Sequence, residues 1–561
     1  MSKNFRPAIE NWLHCRGYAI VFETAVLWAV LMVCVGASWG VVSNGTGGVV
    51  VKTANGPVQG ETEGGVLVFR GIRFAEPPVG KLRFRPPVPP APWSDVRPAL
   101  DFAPACPQIV ELDPTENNNS VMAEDCLAVN VWTPKADSGK RPVMVFIHGG
   151  ANIDGSARNT WYDGTTLAER GNLVLVTLQY RLGAWGYLEL SEIGGKDYAE
   201  SGNLGVLDQI AALKWVKQNI ASFGGDPENI TLFGQSAGGM ATARLMGMPQ
   251  ARGLFHKAVL ESGAGSRGGT TVAQATEVAK AYMKLAGVNT VEELQKLSMV
   301  DMREAQRKLF ETRFEDSSFG PVIDGIVLKE GSMDAIADGL GDKIPVMVGT
   351  VLDEMRYWST IEDLPLETKP ESLLRKQLAD LVGDRADEVI AAYKRNNPDY
   401  GDVVVQITSD LVFRLPSIEV AELASHRGQP TYMYLLTYRS TSTYRKYDSA
   451  HTMEIPFVFG VINDLDVIAF TGRDPHRETL MKQVQQAWIN FARTGNPNHS
   501  GLPVWAQYDG DKRATMELGI TCHMVNDPRS EERRAWGKYP TKEHLGAIIS
   551  ENTDSSSGSK E

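Results

Sequence analysis

Apolar runs of strand length recur along the chain, separated by stretches whose apolar positions repeat at helical spacing. Pro142 to Ile147, Leu173 to Gln179, Ile230 to Phe233, Ala258 to Leu260, Pro345 to Gly349 and Tyr432 to Tyr438 are continuous apolar runs rather than alternating ones. Strands of this kind are covered on both faces, the condition of a parallel sheet with helices above and below it. From Gly205 to Ser222, the residues Val206, Ile210, Leu213 and Trp215 or Val216 share one face, and Gly224-Gly225 ends the pattern. From His476 to Arg493, Leu480, Val484, Trp488 and Phe491 do the same before Gly495 and Pro497. Both read as amphipathic helices with glycine stops. Residues 265–342 and 355–425 read as helical and irregular, and they interrupt the strand series where a cap would be inserted. The pattern predicts an α/β fold: a large, mostly parallel central sheet flanked by helices, with helical cap insertions.

No linker or fixed-period repeat breaks residues 48–548, so one large domain is expected there. The ends differ. Residues 551–561 (ENTDSSSGSKE) carry no apolar side chain and read as a disordered tail. Residues 1–42 read as a targeting segment: Lys3, Arg6 and Arg16 precede an uncharged run from Thr24 to Val42. Val35-Gly36-Ala37 sets small residues before a possible cut at Ser38, as a secretory signal requires, which would leave a secreted or periplasmic protein. The same run, residues 24–42, nearly spans a bilayer and could instead be kept as a membrane anchor. A start codon placed too early is the third reading.

Composition narrows the function classes. Of 561 residues, 22% are charged and 43% hydrophobic, a globular balance that excludes a mainly disordered chain, a collagen-like repeat and a polytopic membrane protein. Asp and Glu number 68 against 56 Lys and Arg, for a net charge of -12. With no basic cluster to follow a phosphate backbone, nucleic acid is not an expected partner. Of five cysteines, Cys15 and Cys34 fall in the targeting segment and Cys522 near the end, leaving Cys106 and Cys126 as one local pair. In an exported protein this pair would close an acidic loop without aromatic residues; in a reducing compartment both would stay thiols.

The chemistry-bearing signal is Gly234-Gln235-Ser236-Ala237-Gly238, which follows the apolar run ITLF and opens a helical stretch. A serine at such a strand-to-helix turn is a nucleophile elbow, whose flanking glycines give way to the neighbouring strand and helix. An acyl-transfer serine needs N–H donors for the developing oxyanion. His148-Gly149-Gly150-Ala151 follows VMVFI at the place where such a loop belongs, so Gly150, Ala151 and Ala237 are the expected donors. His148 itself reads as a structural loop residue. In this chain order the acid and then the base follow the serine, which discards His14, His148 and His256 and leaves six histidines. Of these, His451 alone sits between a strand-like run (YMYLLTY) and a second apolar stretch (EIPFVFG). Glu354, at the end of IPVMVGTVLDE, is slightly preferred as the acid over Asp353 and Asp324, and periodicity does not choose between neighbours.

These stations together resemble the type-B carboxylesterase and cholinesterase family of α/β-hydrolases over about residues 48–540. Besides GQSAGG and HGGA, the similar segments are FRGIRFAEPPVGKLRFRPPVPPAPW at 69–93, AEDCLAVNVWTP at 123–134, YRLGAWGYL at 180–188, NLGVLDQIAALKWVKQNIASFGGDPENITLFG at 203–234 and HTMEIPFVFG at 451–460. The resemblance implies Ser236 as nucleophile, Glu354 as acid, His451 as base, Gly150, Ala151 and Ala237 as oxyanion hole, and a Cys106–Cys126 disulfide. It also implies that Ser262 in ESGA supports the hydrogen bonds of the triad. Four departures stand out. Gln235 replaces the usual Glu before the nucleophile, and the Cys106–Cys126 loop lacks a tryptophan to stack on a quaternary ammonium, so choline is not the expected alcohol. Asn152 replaces an aromatic residue after the oxyanion glycines, and Met355 replaces glycine after the acid. Tyr357 and Trp358 are candidates for the substrate wall.

The implied activity is hydrolysis of a small-molecule carboxylic ester through an acyl-enzyme, with no metal and no organic cofactor. The alternatives are carbamate or amide cleavage by the same triad, and a noncatalytic binding protein of the same fold. Neither the ester nor an oligomeric state is written in these patterns.

Overall fold

All six apolar runs become neighbouring strands of one sheet. The structure, a computed structural model, describes residues 48–109, 121–311, 319–341, 343–361, 364, 366–537 and 539. The targeting segment, most of the loop between Cys106 and Cys126, and the C-terminal tail lie outside the described residues. In chain order the main strands are β1 (Val49–Lys52), β2 (Pro57–Glu63), β3 (Val66–Arg73), β4 (Ala128–Thr133), β5 (Arg141–Ile147), β6 (Val174–Leu178), β7 (Gly225–Gln235), β8 (Lys257–Glu261), β9 (Val346–Val351), β10 (Thr431–Leu436), β11 (Ala514–Leu518) and β12 (His523–Asn526). Their spatial order is β1-β2-β3-β4-β6-β5-β7-β8-β9-β10-β11-β12.

From β6 through β11 every neighbour is parallel. The pairs outside that stretch are antiparallel. The six expected strands are β5 to β10, buried along almost their whole length, which is why they read as unbroken apolar runs. Among the outer strands β1 and β12 are four residues long and β2 (PVQGETE) buries only alternate residues near its start, whereas β4 (AVNVWT) is buried throughout and was missed all the same.

The chain reverses direction across the sheet at β5. β6 lies on one side of it and β7 on the other, so the loops leaving their C-terminal ends diverge and open a crevice there. The register Ile147↔Gly234 sets the HGGA loop after β5 directly beside the glycine-flanked serine after β7.

The helices that cover the sheet are α1 (Leu204–Asn219), α2 (Ala237–Gly247), α3 (Arg356–Ile361), α4 (Tyr400–Ser409), α5 (Leu415–His426) and α6 (Arg477–Thr494). The expected helices match α1 and α6. The reading of α1 as amphipathic needs correction, since Asp208, Gln209 and Asn219 are buried along with the apolar face. Asp208 forms a buried ion pair with Arg181, and Asn219 Oδ1 accepts from Ala54 N–H at 2.7 Å, so these two polar positions are satisfied inside, whereas the Gln209 amide is buried without a hydrogen-bond partner. The 355–425 insertion forms its own apolar cluster with Leu374, Val389, Tyr393, Val404 and Trp536. Cys106 and Cys126 are bonded, and Cys522 is a buried thiol. No helix among the described residues is long and apolar enough to cross a membrane.

Candidate active site

β7 ends at Gln235 and α2 starts at Ala237, so Ser236 must turn the chain from strand to helix within one residue. It does so at φ 58° and ψ -125°, a region that costs a side-chain-bearing residue about 1–3 kcal/mol. The strain is held by two bonds: Ser236 N–H donates to Glu261 C=O, and Ser236 C=O accepts from Met240 N–H, each at 2.9 Å. The flanking glycines have no room for a side chain. A Cβ on Gly238 would lie 1.9 Å from the Ile147 carbonyl oxygen, and one on Gly234 2.5 Å from the Gly238 backbone. Ser236 stays partly exposed while its neighbours Gln235 and Ala237 are buried.

The loop after β5 approaches from the other side. A Cβ on Gly149 would lie 2.9 Å from Ser236 Cβ. Gly150, Ala151 and Asn152 then run at φ 97°, 51° and 65°, three successive residues in the left-handed region. Among the described hydrogen bonds none uses the N–H of Gly150 or Ala151, and the Ala237 N–H, first in α2, has no intrahelical acceptor. The loop is pinned from behind. Tyr180 Oη donates to His148 C=O at 2.9 Å, and Tyr187 Oη donates to Asn152 Oδ1 at 3.2 Å. His148 stacks on the Tyr180 ring, and burial pushes its pKa down to about 4, so it is a neutral scaffold residue.

Glu354 and His451 come together although 97 residues separate them. Glu354 Oε1 accepts from Val351 N–H at 3.0 Å, Oε2 lies 2.5 Å from His451 Nδ1, and the His451 N–H donates to Glu354 C=O at 3.2 Å. The rival acids point elsewhere. Asp353 accepts from Gln406 at 2.9 Å and faces Arg439, and Asp324 bonds Asn203 and the N–H groups of Ile326, Val327 and Leu328.

With Nδ1–H directed at Glu354, His451 Nε2 is an acceptor, and it meets Gln235 Nε2 at 3.0 Å. No described hydrogen bond joins Ser236 Oγ to His451; the Gln235 amide occupies that nitrogen instead. Three rings enclose the imidazole: Trp358 at 4.9 Å, Phe413 at 4.8 Å and Tyr357 at 6.3 Å between centroids. Tyr357 and Trp358 therefore stand at the site, as does Gln235, while Asn152 directs its amide oxygen back to Tyr187. Phe413 was not foreseen. It sits in a π-helical turn, Asp410–Arg414, between α4 and α5, which inserts one residue and turns the ring inward.

Two carboxylates were also missed. Ser262 Oγ donates to Glu454 Oε1 at 3.1 Å, and Trp488 Nε1 donates to Glu261 Oε1 at 2.5 Å, with both glutamates fully buried. The signal was present: each is an acid closing or opening an apolar run, in KAVLE and EIPFVFG. Burial pushes Glu261 up to about 8, and burial beside Glu354 and Glu261 pushes Glu454 well above the carboxylate range. A carboxyl kept protonated in the folded chain, yet ionised above 4.5 once unfolded, stabilises the fold at acid pH. That contribution is lost as the pH rises toward about 8. Glu261→Gln keeps the acceptor for Trp488 without a titrating proton. Its melting temperature relative to the parent is expected to rise between pH 5.5 and 8, and parallel melting profiles would contradict the assignment.

The model of the Carboxylesterase family matches residues 48–536. The chain is 39% identical over 507 residues to the para-nitrobenzyl esterase of Bacillus subtilis (strain 168), covering 88% of this chain and 99% of that one. It is 36% identical over 543 residues to the liver carboxylesterase of Sus scrofa, covering 88% and 93%. The crystal structure of the Geobacillus stearothermophilus carboxylesterase EST55 at pH 6.2 superposes with a TM-score of 0.79 at 36% identity, over 87% of this chain and 99% of that one. A sheet that brings a strained serine, unspent backbone donors and a histidine–glutamate pair to one crevice, in a chain that matches the family from end to end of its described sheet, makes this protein a member of the carboxylesterase family.

Proposed function

We propose that this carboxylic ester hydrolase works in two steps through an acyl-enzyme on Ser236. The observation that carries the reading is the 2.5 Å contact between Glu354 Oε2 and His451 Nδ1 beside the partly exposed, strained serine. Glu354 holds His451 in the tautomer with a free Nε2 and stabilises the imidazolium once it forms. Ser236 Oγ attacks the ester carbonyl as its proton passes to Nε2. The carbonyl oxygen, now negative, is held by the N–H groups of Gly150, Ala151 and Ala237. The tetrahedral adduct expels the alcohol, which takes the proton from His451. A water then attacks the acyl-enzyme with His451 again as base, releasing the acid and restoring Ser236.

Gln235 adds a condition to this cycle. Its amide must leave Nε2 before Ser236 can use that nitrogen, so the side chain swings aside when substrate enters. The rings of Tyr357, Trp358 and Phe413 form an aromatic wall over the imidazole and favour an aryl or apolar group on one side of the ester. A nitrophenyl or nitrobenzyl ester fits that wall, in keeping with the para-nitrobenzyl esterase relative. Residues 48–548 act as a single catalytic domain in this reading, and residues 1–42 serve export or anchoring.

The test is hydrolysis of p-nitrophenyl acetate and p-nitrophenyl octanoate by the purified chain. Turnover of at least one is expected, and the ratio of the two kcat/KM values measures the acyl pocket. A folded protein that releases no nitrophenol from either ester would count against the proposal.

A further inference from the structure

Arg356 stands two residues after Glu354 and directly before Tyr357 and Trp358, and its side chain is buried among three carboxylates. Nη2 donates to Asp402 Oδ1, in the first turn of α4. Nε lies 3.2 Å from Asp448 Oδ2, and Nη1 pairs with Glu367. Among the described hydrogen bonds none uses Nε or Nη1, so the hold on Asp448 and Glu367 is electrostatic. Each partner belongs to a different segment: Glu367 follows α3, Asp402 is on α4, and Asp448 lies three residues before His451. The exposed Arg439 and Lys446 close the cluster from outside, Arg439 Nη1 donating to Asp448 at 3.2 Å and Lys446 Nζ to Asp402 at 2.8 Å.

The same segments are tied again around this guanidinium. Met355 N–H donates to Ser409 Oγ at 2.9 Å, so α4 is fastened to the acid segment at both ends, and the π-helical turn that aims Phe413 starts at the next residue. Asp353 N–H donates to Ser449 C=O at 2.9 Å, and Thr360 Oγ1 of α3 donates to Lys446 C=O at 3.0 Å, which joins the acid segment and α3 to the loop that delivers His451. A buried ionic cluster is a poor source of stability, because desolvation offsets most of what the pairing returns. What a planar fork with several donors supplies is a fixed geometry between the groups it faces.

We propose that Arg356 is a positioning residue for the reaction. It clamps the acid segment, the loop before His451 and α4 together, and so keeps the His451 imidazole between Glu354 and the rings of Trp358 and Phe413. The inference rests on the roles given above to Ser236, Glu354 and His451.

Three variants of the full chain test it. Arg356→Met keeps the length of the side chain without its charge, and Arg356→Lys keeps the charge without the fork. Asp448→Asn removes the carboxylate nearest the base at φ 49°, a backbone region that asparagine tolerates. Turnover of p-nitrophenyl acetate is divided by the number of sites that take up a p-nitrophenyl alkylphosphonate, so that unfolded chains do not count. Per titrated site, kcat is expected to fall about tenfold or more in Arg356→Met and in Asp448→Asn, and to recover in part in Arg356→Lys. The double variant Arg356→Met/Asp448→Asn should be no slower than Arg356→Met, since both changes break one contact. An arginine that only stabilised the fold would lower the number of titrated sites and leave kcat per site at the parental value. That result, or losses that multiply in the double variant, would overturn the inference. If Arg356→Met does not fold, Asp448→Asn decides: a parental kcat per site overturns the clamp, and a tenfold loss supports it. A folded parent that neither hydrolyses the ester nor takes up the phosphonate would overturn the reading of the site itself, and this inference with it.

Discussion

Ser236→Ala is expected to lower kcat/KM for p-nitrophenyl acetate by about 10⁴-fold or more, with the melting temperature essentially unchanged. The two halves of that statement rest on different observations. In the proposed cycle chemistry is lost because Ser236 Oγ is the group that forms the acyl intermediate, and the residual rate comes only from binding and the backbone donors. Stability is kept because alanine, like serine, carries a Cβ at φ 58°, and the bonds that hold the turn are made by the Ser236 backbone to Glu261 and Met240. A collapse in melting temperature would show that the hydroxyl has a structural duty and would break the inference from activity.

Glu354→Gln is expected to cost about 10³ to 10⁴ in kcat. The carboxylate accepts the Nδ1 proton of His451, and that is what leaves Nε2 free. A glutamine there can present its own N–H to Nδ1, which moves the imidazole proton to Nε2 and removes the base. Asp353→Asn is the matched control: its carboxylate faces Gln406 and Arg439 rather than His451, so a loss of less than about tenfold is expected. Steady-state kinetics on both variants separates the two neighbours, and equal losses would contradict the assignment of the acid.

How much of this was legible in the sequence differs by element. The parallel centre announced itself, because strands buried on both faces are continuous apolar runs. β1 and β2 did not, because β1 is four residues long and β2 carries polar side chains on one face. The elbow was readable from GQSAG after ITLF, since the glycines are demanded by contacts as close as 1.9 Å. Choosing among Glu354, Asp353 and Asp324 was beyond periodicity: adjacent residues differ only in the direction their side chains leave the backbone, which tertiary packing decides. The same holds for α1, where burial of Asp208 depends on Arg181 from another segment, and for Phe413, aimed by a π-helical turn with no local signature. The Gln235 amide at His451 Nε2 is a contact between residues 216 apart, and no spacing could have revealed it.

The most direct test of the account is covalent capture of the nucleophile. The purified chain, treated with a p-nitrophenyl alkylphosphonate, should release one equivalent of nitrophenol and gain a single phosphonyl adduct, located by peptide mass spectrometry on Ser236. His451→Ala should form that adduct far more slowly, since it lacks the base. An adduct on any other residue, or labelling of Ser236 at the same rate in parent and His451→Ala, would contradict the proposal that Ser236 is a nucleophile activated by His451.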